Sequence, residues 1–353
     1  MRLVSARRPL TLPLALLLAV ATALHAQEAP SPDAPPPASD APSLPPSDVP
    51  PAQTLQLSIH LVDAYFTVRD KSGFILNLTP SDCQVSEDHQ PQTIKTLTQE
   101  KSLPLTIGIL LDTSGSQQRI LPLEQQSAAR FLKSVLAPQD EAFLISFDVN
   151  VDLLSDYTSS AAELTRAINQ ASINTASAAS GLPGIGSGPF PTAHPRGTLL
   201  YDAVYLAAHD KLQSQTGRKV ILLLTDGNDQ GSQETLASAT EAAQKANVLV
   251  YVILIADHPY LDSLATPISG KSQMQRLARD TGGRVIDVGN NGPKLEAAFT
   301  QIQNELRTQY LLSYVPHNQA TDSKFRKLEI HCGDGRTVQA RKGYYALPAT
   351  PDN

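Results

Sequence analysis

The middle of the chain contains long apolar runs separated by segments with helical periodicity. Residues 105–111 are apolar at almost every position, which is typical of a strand buried on both faces of a sheet. Further runs of this kind occupy residues 142–147, 220–224 and 248–255. Apolar residues recurring at intervals of three and four predict helices over residues 118–135, 161–173, 199–212, 232–246, 274–281 and 293–309. Such alternation predicts an α/β fold with a doubly wound, mainly parallel sheet within residues 102–309.

The two segments that flank this region have a period of two instead. In residues 54–101 and 310–346, apolar and polar residues alternate, as around Leu328 and Ile330, which predicts short strands. Residues 333–335, Gly-Asp-Gly, predict a hairpin turn between two strands of the second segment. We expect the two segments to pair into one small β-sandwich-like unit, into which the α/β domain is inserted.

Both ends of the chain lie outside these folded regions, and the N-terminal end predicts export. Residues 1–26 combine a positively charged start with an apolar run that is shorter than the roughly 20 residues of a membrane helix. This pattern indicates a cleaved signal peptide, with a retained anchor as the alternative. Residues 27–53 are rich in Pro, Ala, Ser and Asp, which predicts an extended, disordered linker. After cleavage we expect no stable membrane span, a short tail at 347–353, and a periplasmic or extracellular location.

Cys83 and Cys332, the two cysteines of the chain, lie one in each flanking segment. An even number of cysteines in an exported chain permits a disulfide, and pairing of the two segments would make that bond natural. Both residues also lie among alternating apolar positions, where an unpaired cysteine packs in the core. The sequence therefore leaves a disulfide and plain core packing open.

The composition narrows the classes of partner. The chain has 353 residues, is 41% hydrophobic and 18% charged, and carries a formal charge of -6. This acidic balance, with no basic stripe, 10 Tyr, 8 Phe and no Trp, argues against nucleic-acid binding. An acidic protein is instead suited to meeting divalent cations. The sequence does not indicate an oligomeric state.

Oxygen-bearing side chains follow or precede three predicted elements of the α/β domain. Asp112, Ser114 and Ser116 come directly after the first buried strand, Thr198 precedes the third predicted helix, and Asp226 follows the third buried strand. Parallel sheets bind ligands beyond the carboxyl ends of their strands, so we expect these side chains to meet there. Hard oxygen ligands suit Mg²⁺, Mn²⁺ or Ca²⁺, and the absence of His and Cys from the set argues against zinc.

The hydroxyl groups determine how such a metal would behave. Direct coordination by the neutral Ser114, Ser116 and Thr198 leaves most of the cation's charge uncompensated, while Asp112 and Asp226 act through bound water. We therefore expect the cation to take an Asp or Glu carboxylate of a protein partner. The expected function is an adhesion or assembly module that catalyses nothing. The alternative is a structural envelope component in which the metal only stabilises the loops.

The five positions resemble the metal-ion-dependent adhesion site (MIDAS) of von Willebrand factor A domains. Asp-x-Ser-x-Ser at 112–116, the isolated Thr198 and Thr-Asp-Gly at 225–227 match its three parts in order. The resemblance implies a von Willebrand factor A-like, Rossmann-like α/β domain, a divalent cation held by these residues, and metal-dependent protein binding.

A broader resemblance covers residues 55–346 and concerns bacterial exported von Willebrand factor A-related proteins of the acidobacterial type. It is carried by segments in both flanking regions and one late segment of the α/β domain, at 68–73, 78–82, 85–88, 281–283 and 341–345. It implies the same inserted layout. Two positions depart from the pattern: Cys83 stands where a large aromatic residue is expected, and His89 where a glycine is expected.

Other polar features of the α/β domain have weaker support. Ser114 or Ser116 as the nucleophile of a hydrolase would need a base and an oxyanion hole. His194 and His209 are the nearest possible bases, and no Gly-x-Ser-x-Gly elbow exists at this strand end. The glycine-rich residues 184–188 lack the lysine and the strand–helix context of a phosphate-binding loop.

Three further acids lie near predicted strand ends or turns, namely Asp148, Asp202 and Asp229. One interpretation is that they add negative charge around the metal. The other is that they are ordinary cap and turn residues.

Overall fold

A computed structural model describes residues 61–100, 103–173, 197–255 and 270–348. The predicted signal peptide, the Pro-rich linker, the glycine-rich residues 184–188, His194 and the end of the tail lie outside these residues. Within the described residues, no helix combines the length and the apolar character needed to cross a membrane.

The first described segment folds into five short strands, β1 (Val62–Asp70), β2 (Gly73–Phe74), β3 (Gln84–Glu87), β4 (Gln90–Gln92) and β5 (Ile94–Gln99). The turn between β3 and β4 lies at Asp88 and His89, both of which have a left-handed backbone, with φ of 47° and 67°. Glycine adopts this conformation most easily. A glycine is therefore expected where His89 stands.

The central sheet consists of six strands, β6 (Leu105–Asp112), β7 (Glu141–Phe147), β8 (Val151–Thr158), β9 (Arg218–Thr225), β10 (Val248–Leu254) and β11 (Val285–Asp287). Their order is β11-β10-β9-β6-β7-β8, and all neighbours are parallel except the antiparallel pair β7 and β8. β6, β9 and β10 are buried along their whole length. The edge strands β8 and β11 were not predicted, because neither is a continuous apolar run and both stay partly exposed.

Helices cover both faces of this sheet: α1 (Leu121–Val135), α2 (Ala161–Gln170), α3 (Leu200–Leu206), α4 (Leu236–Lys245), α5 (Gly270–Thr281) and α6 (Gly292–Arg307). α1, α2 and α6 pack in one core with Phe131, Leu164 and Phe299. α3, α4 and α5 pack in a second core with Tyr201 and Met274. The predicted α/β class with a mainly parallel central sheet is confirmed.

Residues 310–345 add four strands, β12 (Tyr310–Tyr314), β13 (Phe325–His331), β14 (Thr337–Ala340) and β15 (Gly343–Tyr345). Together with the first segment they form two antiparallel sheets, β14-β1-β12-β5 with β2 beside β1, and β15-β13-β3-β4. Phe66, Tyr310 and Leu328 belong to one core shared by both sheets. Cys83 and Cys332 form a disulfide within this core.

The predicted hairpin at residues 333–335 is wrong in its strand pairing. The chain does turn there, with a left-handed backbone at Gly333 and Gly335. However, β13 pairs with β3 and β15, whereas β14 pairs with β1 in the other sheet. In a hairpin two successive strands pair with each other, whereas here they lie in two packed sheets. In both cases each strand has one buried face, so the alternation of apolar and polar residues does not distinguish the two arrangements.

Candidate metal centre

Asp112 and Asp226 lie at the carboxyl ends of two neighbouring parallel strands. Asp112 is the last residue of β6, and Asp226 follows Thr225, the last residue of β9. The two strands are paired in register as far as Leu111 and Leu224. The Thr225 hydroxyl donates to Oδ2 of Asp112 at 2.6 Å. The parallel pairing and this hydrogen bond hold the ends of the two strands together.

The loop after β6 brings both predicted serines close to Asp112. The Ser114 backbone N–H donates to Oδ1 of Asp112 at 3.0 Å. The hydroxyl oxygens of Ser114 and Ser116 lie 3.0 Å apart. Ser114 is buried and Ser116 is exposed. The loop therefore carries three oxygen-bearing side chains from the interior to the surface.

Thr198 is connected to the loops that follow β6 and β9. Its backbone N–H and C=O each form a 2.9 Å hydrogen bond with Gln230, in the loop after β9. The next residue, Leu199, donates its N–H to the backbone oxygen of Asp148 at 2.8 Å. The Asp148 carboxylate in turn accepts from the Thr113 hydroxyl at 3.1 Å, directly beside Asp112. The three predicted parts of the site thus belong to one hydrogen-bonded region.

Asp112 has no basic partner among the residues that the structure describes. The side chain is fully buried. Burial and the nearby charge of Asp226 raise the pKa of Asp112 to about 7, although hydrogen bonds from Ser114 and Thr225 lower it. In the described part of the chain, no Lys, Arg or His is among the groups that shift this pKa. Two acids close together under these conditions require a proton or a cation.

A divalent cation fits the donor set. The set has two carboxylates and three hydroxyls, all of them hard oxygen donors. Among the described residues, no group of three or more His, Cys, Asp and Glu side chains forms a metal-binding cluster. The residues predicted to hold a cation are Asp112, Ser114, Ser116, Thr198 and Asp226. A bound cation would supply positive charge for an acidic ligand.

The three further acids have structural contacts. Asp148 links the loop after β6 to the Thr198 segment, as described above. The Asp202 carboxylate accepts backbone N–H groups at 3.1 and 2.7 Å from the loop before α4. Asp229 accepts the backbone N–H of Tyr201 and the hydroxyl of Ser232. Each side chain therefore accepts hydrogen bonds that connect separate segments at this end of the sheet.

Glu124 and Gln117 are further polar residues near the site that the sequence analysis missed. Both are buried, and each has side-chain oxygens without a hydrogen-bond partner. Glu124 lies between Leu121 and Ala128 on the buried face of α1. An acid at an apolar-face position of a helix is the sequence signal that could have identified it.

The hydroxyls of the serines have no general base beside them among the described hydrogen bonds. The Ser114 hydroxyl interacts with that of Ser116. His209 interacts with Asp210 at 2.6 Å and stacks on Tyr205. His209 lies about three helical turns after Thr198 in the chain.

Comparisons with known proteins add structural similarities only. No family model and no curated protein matches the chain. BatB from Bacteroides thetaiotaomicron is 17% identical with a TM-score of 0.41, over 58% of this chain and all of that one. The von Willebrand factor domain of the type V pili tip protein Mfa5 from Porphyromonas gingivalis is 14% identical with a TM-score of 0.42. That similarity covers 59% of this chain and 96% of the Mfa5 domain.

Proximal thread matrix protein 1 from the mussel byssus, solved with a zinc-occupied MIDAS motif, is 16% identical with a TM-score of 0.44. That similarity covers 61% of this chain and 48% of the mussel protein. Identity and TM-score are low in all three cases, so none of these similarities assigns a function to this chain.

Proposed function

We propose that this chain is an exported adhesion or assembly module of the von Willebrand factor A type, related to the acidobacterial exported proteins. It binds one divalent cation, Mg²⁺, Mn²⁺ or Ca²⁺, through Asp112, Ser114, Ser116, Thr198 and Asp226. The observation that carries the proposal is the fully buried Asp112 beside Asp226, with hydroxyl donors around it and no basic side chain acting on it.

The proposed partner is a protein that presents an Asp or Glu carboxylate. Ser114, Ser116 and Thr198 are neutral ligands and Asp112 and Asp226 act through bound water, so most of the cation's charge stays uncompensated and an acidic side chain of a partner completes the site favourably. A charge-assisted bond of this kind is strong when it is desolvated at an interface. The chain itself contributes binding groups and, in this proposal, no catalytic group.

The experiment is calorimetry of the protein with Mg²⁺ or Mn²⁺ alone, followed by a short peptide that contains Asp. We expect the peptide to bind only when the metal is present, and the same peptide with Asn in place of Asp not to bind. Asp112→Ala should lose metal and peptide binding while circular dichroism shows an intact fold. Asp334→Ala, which removes an exposed acid in the β13–β14 turn, is the matched control and should bind normally.

Three results would contradict the proposal in different ways. Equal peptide binding in chelator would exclude a metal-dependent site. A metal that raises the melting temperature without promoting peptide binding would support the structural envelope component instead. Turnover in a panel of hydrolase substrates, abolished by Ser114→Ala, would indicate an enzyme.

A further inference from the structure

Glu124 is a buried acid without a hydrogen-bond partner among the described residues. The side chain has no exposed surface, and neither carboxylate oxygen accepts a hydrogen bond from them. Burial and the nearby charges of Asp112 and Asp226 raise its pKa well above the ordinary range. No basic side chain of the described residues is among the groups that act on it. Glu124 is thus a third acid on which the charges of Asp112 and Asp226 act, and it lies on the helix that follows the Ser114 loop.

Gln117 is in a similar situation on the same segment. It belongs to the turn Gly115–Gln117, and its backbone N–H donates to the backbone oxygen of Ser114 at 2.9 Å. Its side-chain amide donates to the backbone oxygen of Ile255 at 3.4 Å, but Oε1 has no partner. Gln117 and Glu124 together contribute three buried acceptor oxygens without donors, on the segment that leads from the Ser114 loop into α1.

Buried acceptors without donors are rare in folded proteins, because each one loses its hydrogen bonds to water and gains none. Three of them on one segment indicate a missing donor. The part of the chain described here provides none for these three atoms. Water held by a cation is a strong hydrogen-bond donor, because the cation polarises its O–H bonds.

We propose that Glu124, supported by Gln117, is a positioning residue of the metal centre: its carboxylate accepts a hydrogen bond from water bound to the cation. This inference rests on the proposed metal site. It assigns a role to a residue outside the five ligands and outside their loops. Outer residues of this kind orient the bound water and strengthen metal binding.

The role of Glu124 has opposite consequences for the two states of the protein. Without a cation, the unpartnered acid beside two others destabilises the fold. With a cation, the same acid gains a donor and a compensating charge. Glu124→Gln keeps the size of the side chain and removes its charge. It should therefore stabilise the metal-free protein and weaken metal binding.

The test uses the intact protein with Mg²⁺ or Mn²⁺ alone, without any partner. Calorimetry should show metal affinity about 10–100-fold lower for Glu124→Gln than for the wild type. Thermal unfolding in chelator should give a higher melting temperature for Glu124→Gln, and the increase produced by metal should be smaller. If Glu124→Gln does not fold, Glu124→Leu is measured in the same way with the same expected loss, because an apolar replacement also removes the buried charge.

Glu87→Gln is the matched control. Glu87 is another buried acid, but it lies in β3 and accepts hydrogen bonds from Tyr314 and Tyr344 at 2.7 and 2.8 Å. Its substitution should change stability equally with and without metal and leave metal affinity unchanged. A role of Glu124 confined to packing would give the same result as this control.

The outcomes separate this inference from the proposed function. If Glu124→Gln and Glu124→Leu bind metal as the wild type does, while Asp112→Ala does not, Glu124 has no role in the metal centre and the proposed function stands. If the wild type binds neither Mg²⁺ nor Mn²⁺, both are wrong. A loss of affinity in the Glu124 variants but not in Glu87→Gln supports the inference, whether or not an acidic peptide binds.

Discussion

Buried acids lie near both ends of the central sheet, but their surroundings differ. Near the amino ends of the strands, the fully buried Glu305 pairs with Arg284 at 2.9 Å and accepts from the side chain of Gln339 at 3.4 Å. Near the carboxyl ends, Asp112 has hydrogen bonds but no basic partner among the described residues, and Glu124 has neither.

This difference distinguishes a buried acid that stabilises the fold from a buried acid that is available to bind a ligand. The Glu305 network joins α6, the residue before β11, and β14, so it ties the α/β domain to the flanking sheets. The polar side-chain atoms of Glu305, Arg284 and Gln339 already contact one another, so a ligand would add few new hydrogen bonds there. Unpaired buried acids are costly until a donor or cation arrives. The carboxyl end of the sheet therefore has the properties of a binding site, and the opposite end those of a support.

The largest effect is expected at the supporting end. Arg284→Ala would leave Glu305 buried without its charge partner. Removal of one member of a buried pair typically lowers the free energy of unfolding by about 3–5 kcal/mol. Urea unfolding should show this loss equally in chelator and in Mg²⁺, because the pair lies far from the metal centre in the sheet.

The double variant Arg284→Met/Glu305→Met is the control for this result. It removes both charges and replaces them with apolar side chains, which is often close to neutral. It should therefore be more stable than Arg284→Ala. If the double variant is the less stable of the two, the network contributes through more than the charge pair, and the contrast between the two ends loses its basis.

A smaller effect is expected from Thr225→Val at the metal centre. Valine has the shape of threonine but cannot donate to Oδ2 of Asp112, the 2.6 Å contact, or accept from the Gly227 backbone N–H at 3.0 Å. Metal affinity measured by calorimetry should fall by about tenfold or more, because a hydrogen bond that orients a ligand is lost. The metal-free protein should lose about 1 kcal/mol of stability.

Thr106→Val tests whether the effect belongs to the site. Thr106 is buried near the opposite end of β6, the strand that ends at Asp112. Its substitution should leave metal affinity unchanged. An equal loss of affinity in both variants would mean that the sheet as a whole, rather than the Thr225 contact, controls metal binding.

Part of this fold could be predicted from the sequence, because a strand buried on both faces is a continuous run of apolar residues. β6, β9 and β10 are apolar throughout and were predicted, whereas β8 has irregular burial and register shifts against β7. Strands of that kind lack both a continuous run and a regular alternation. The crossing from β13 to β14 could not be predicted, since pairing partners distant in the chain leave no local pattern.

The candidate site shows the same limit. Asp112, Ser114 and Asp226 could be singled out because each follows an apolar run, and parallel strands place such residues along one edge. Glu124 lies inside a helix whose apolar periodicity predicts only packing. The role proposed for Glu124 depends on its surroundings. They provide no hydrogen-bond donor among the described residues, and the charges of Asp112 and Asp226 act on it. A linear pattern does not contain that information.

The smallest expected effect concerns Lys219, a buried residue at the end of the sheet opposite to the proposed metal centre. It tests whether a buried charge there changes stability without changing metal affinity. Lys219, the second residue of β9, is buried, and burial together with the charge of Arg341 lowers its pKa from 10.5 to about 8. Its charged form is therefore disfavoured in the folded state. The unfolded chain holds more protons between these two pKa values, so the contribution of Lys219 to stability is lowest below pH 8 and rises as the pH rises towards 10.5.

Lys219→Met should remove this penalty. At pH 7 the variant should be more stable than the wild type by an amount on the order of 1 kcal/mol, since a lysine side chain relieves part of its burial by extending towards water. The gain should shrink in urea unfolding between pH 8 and pH 10.5, and metal affinity should not change. A gain that persists above that range would mean that packing, not charge, is the cause. A change in metal affinity would mean that the two ends of the sheet are not independent.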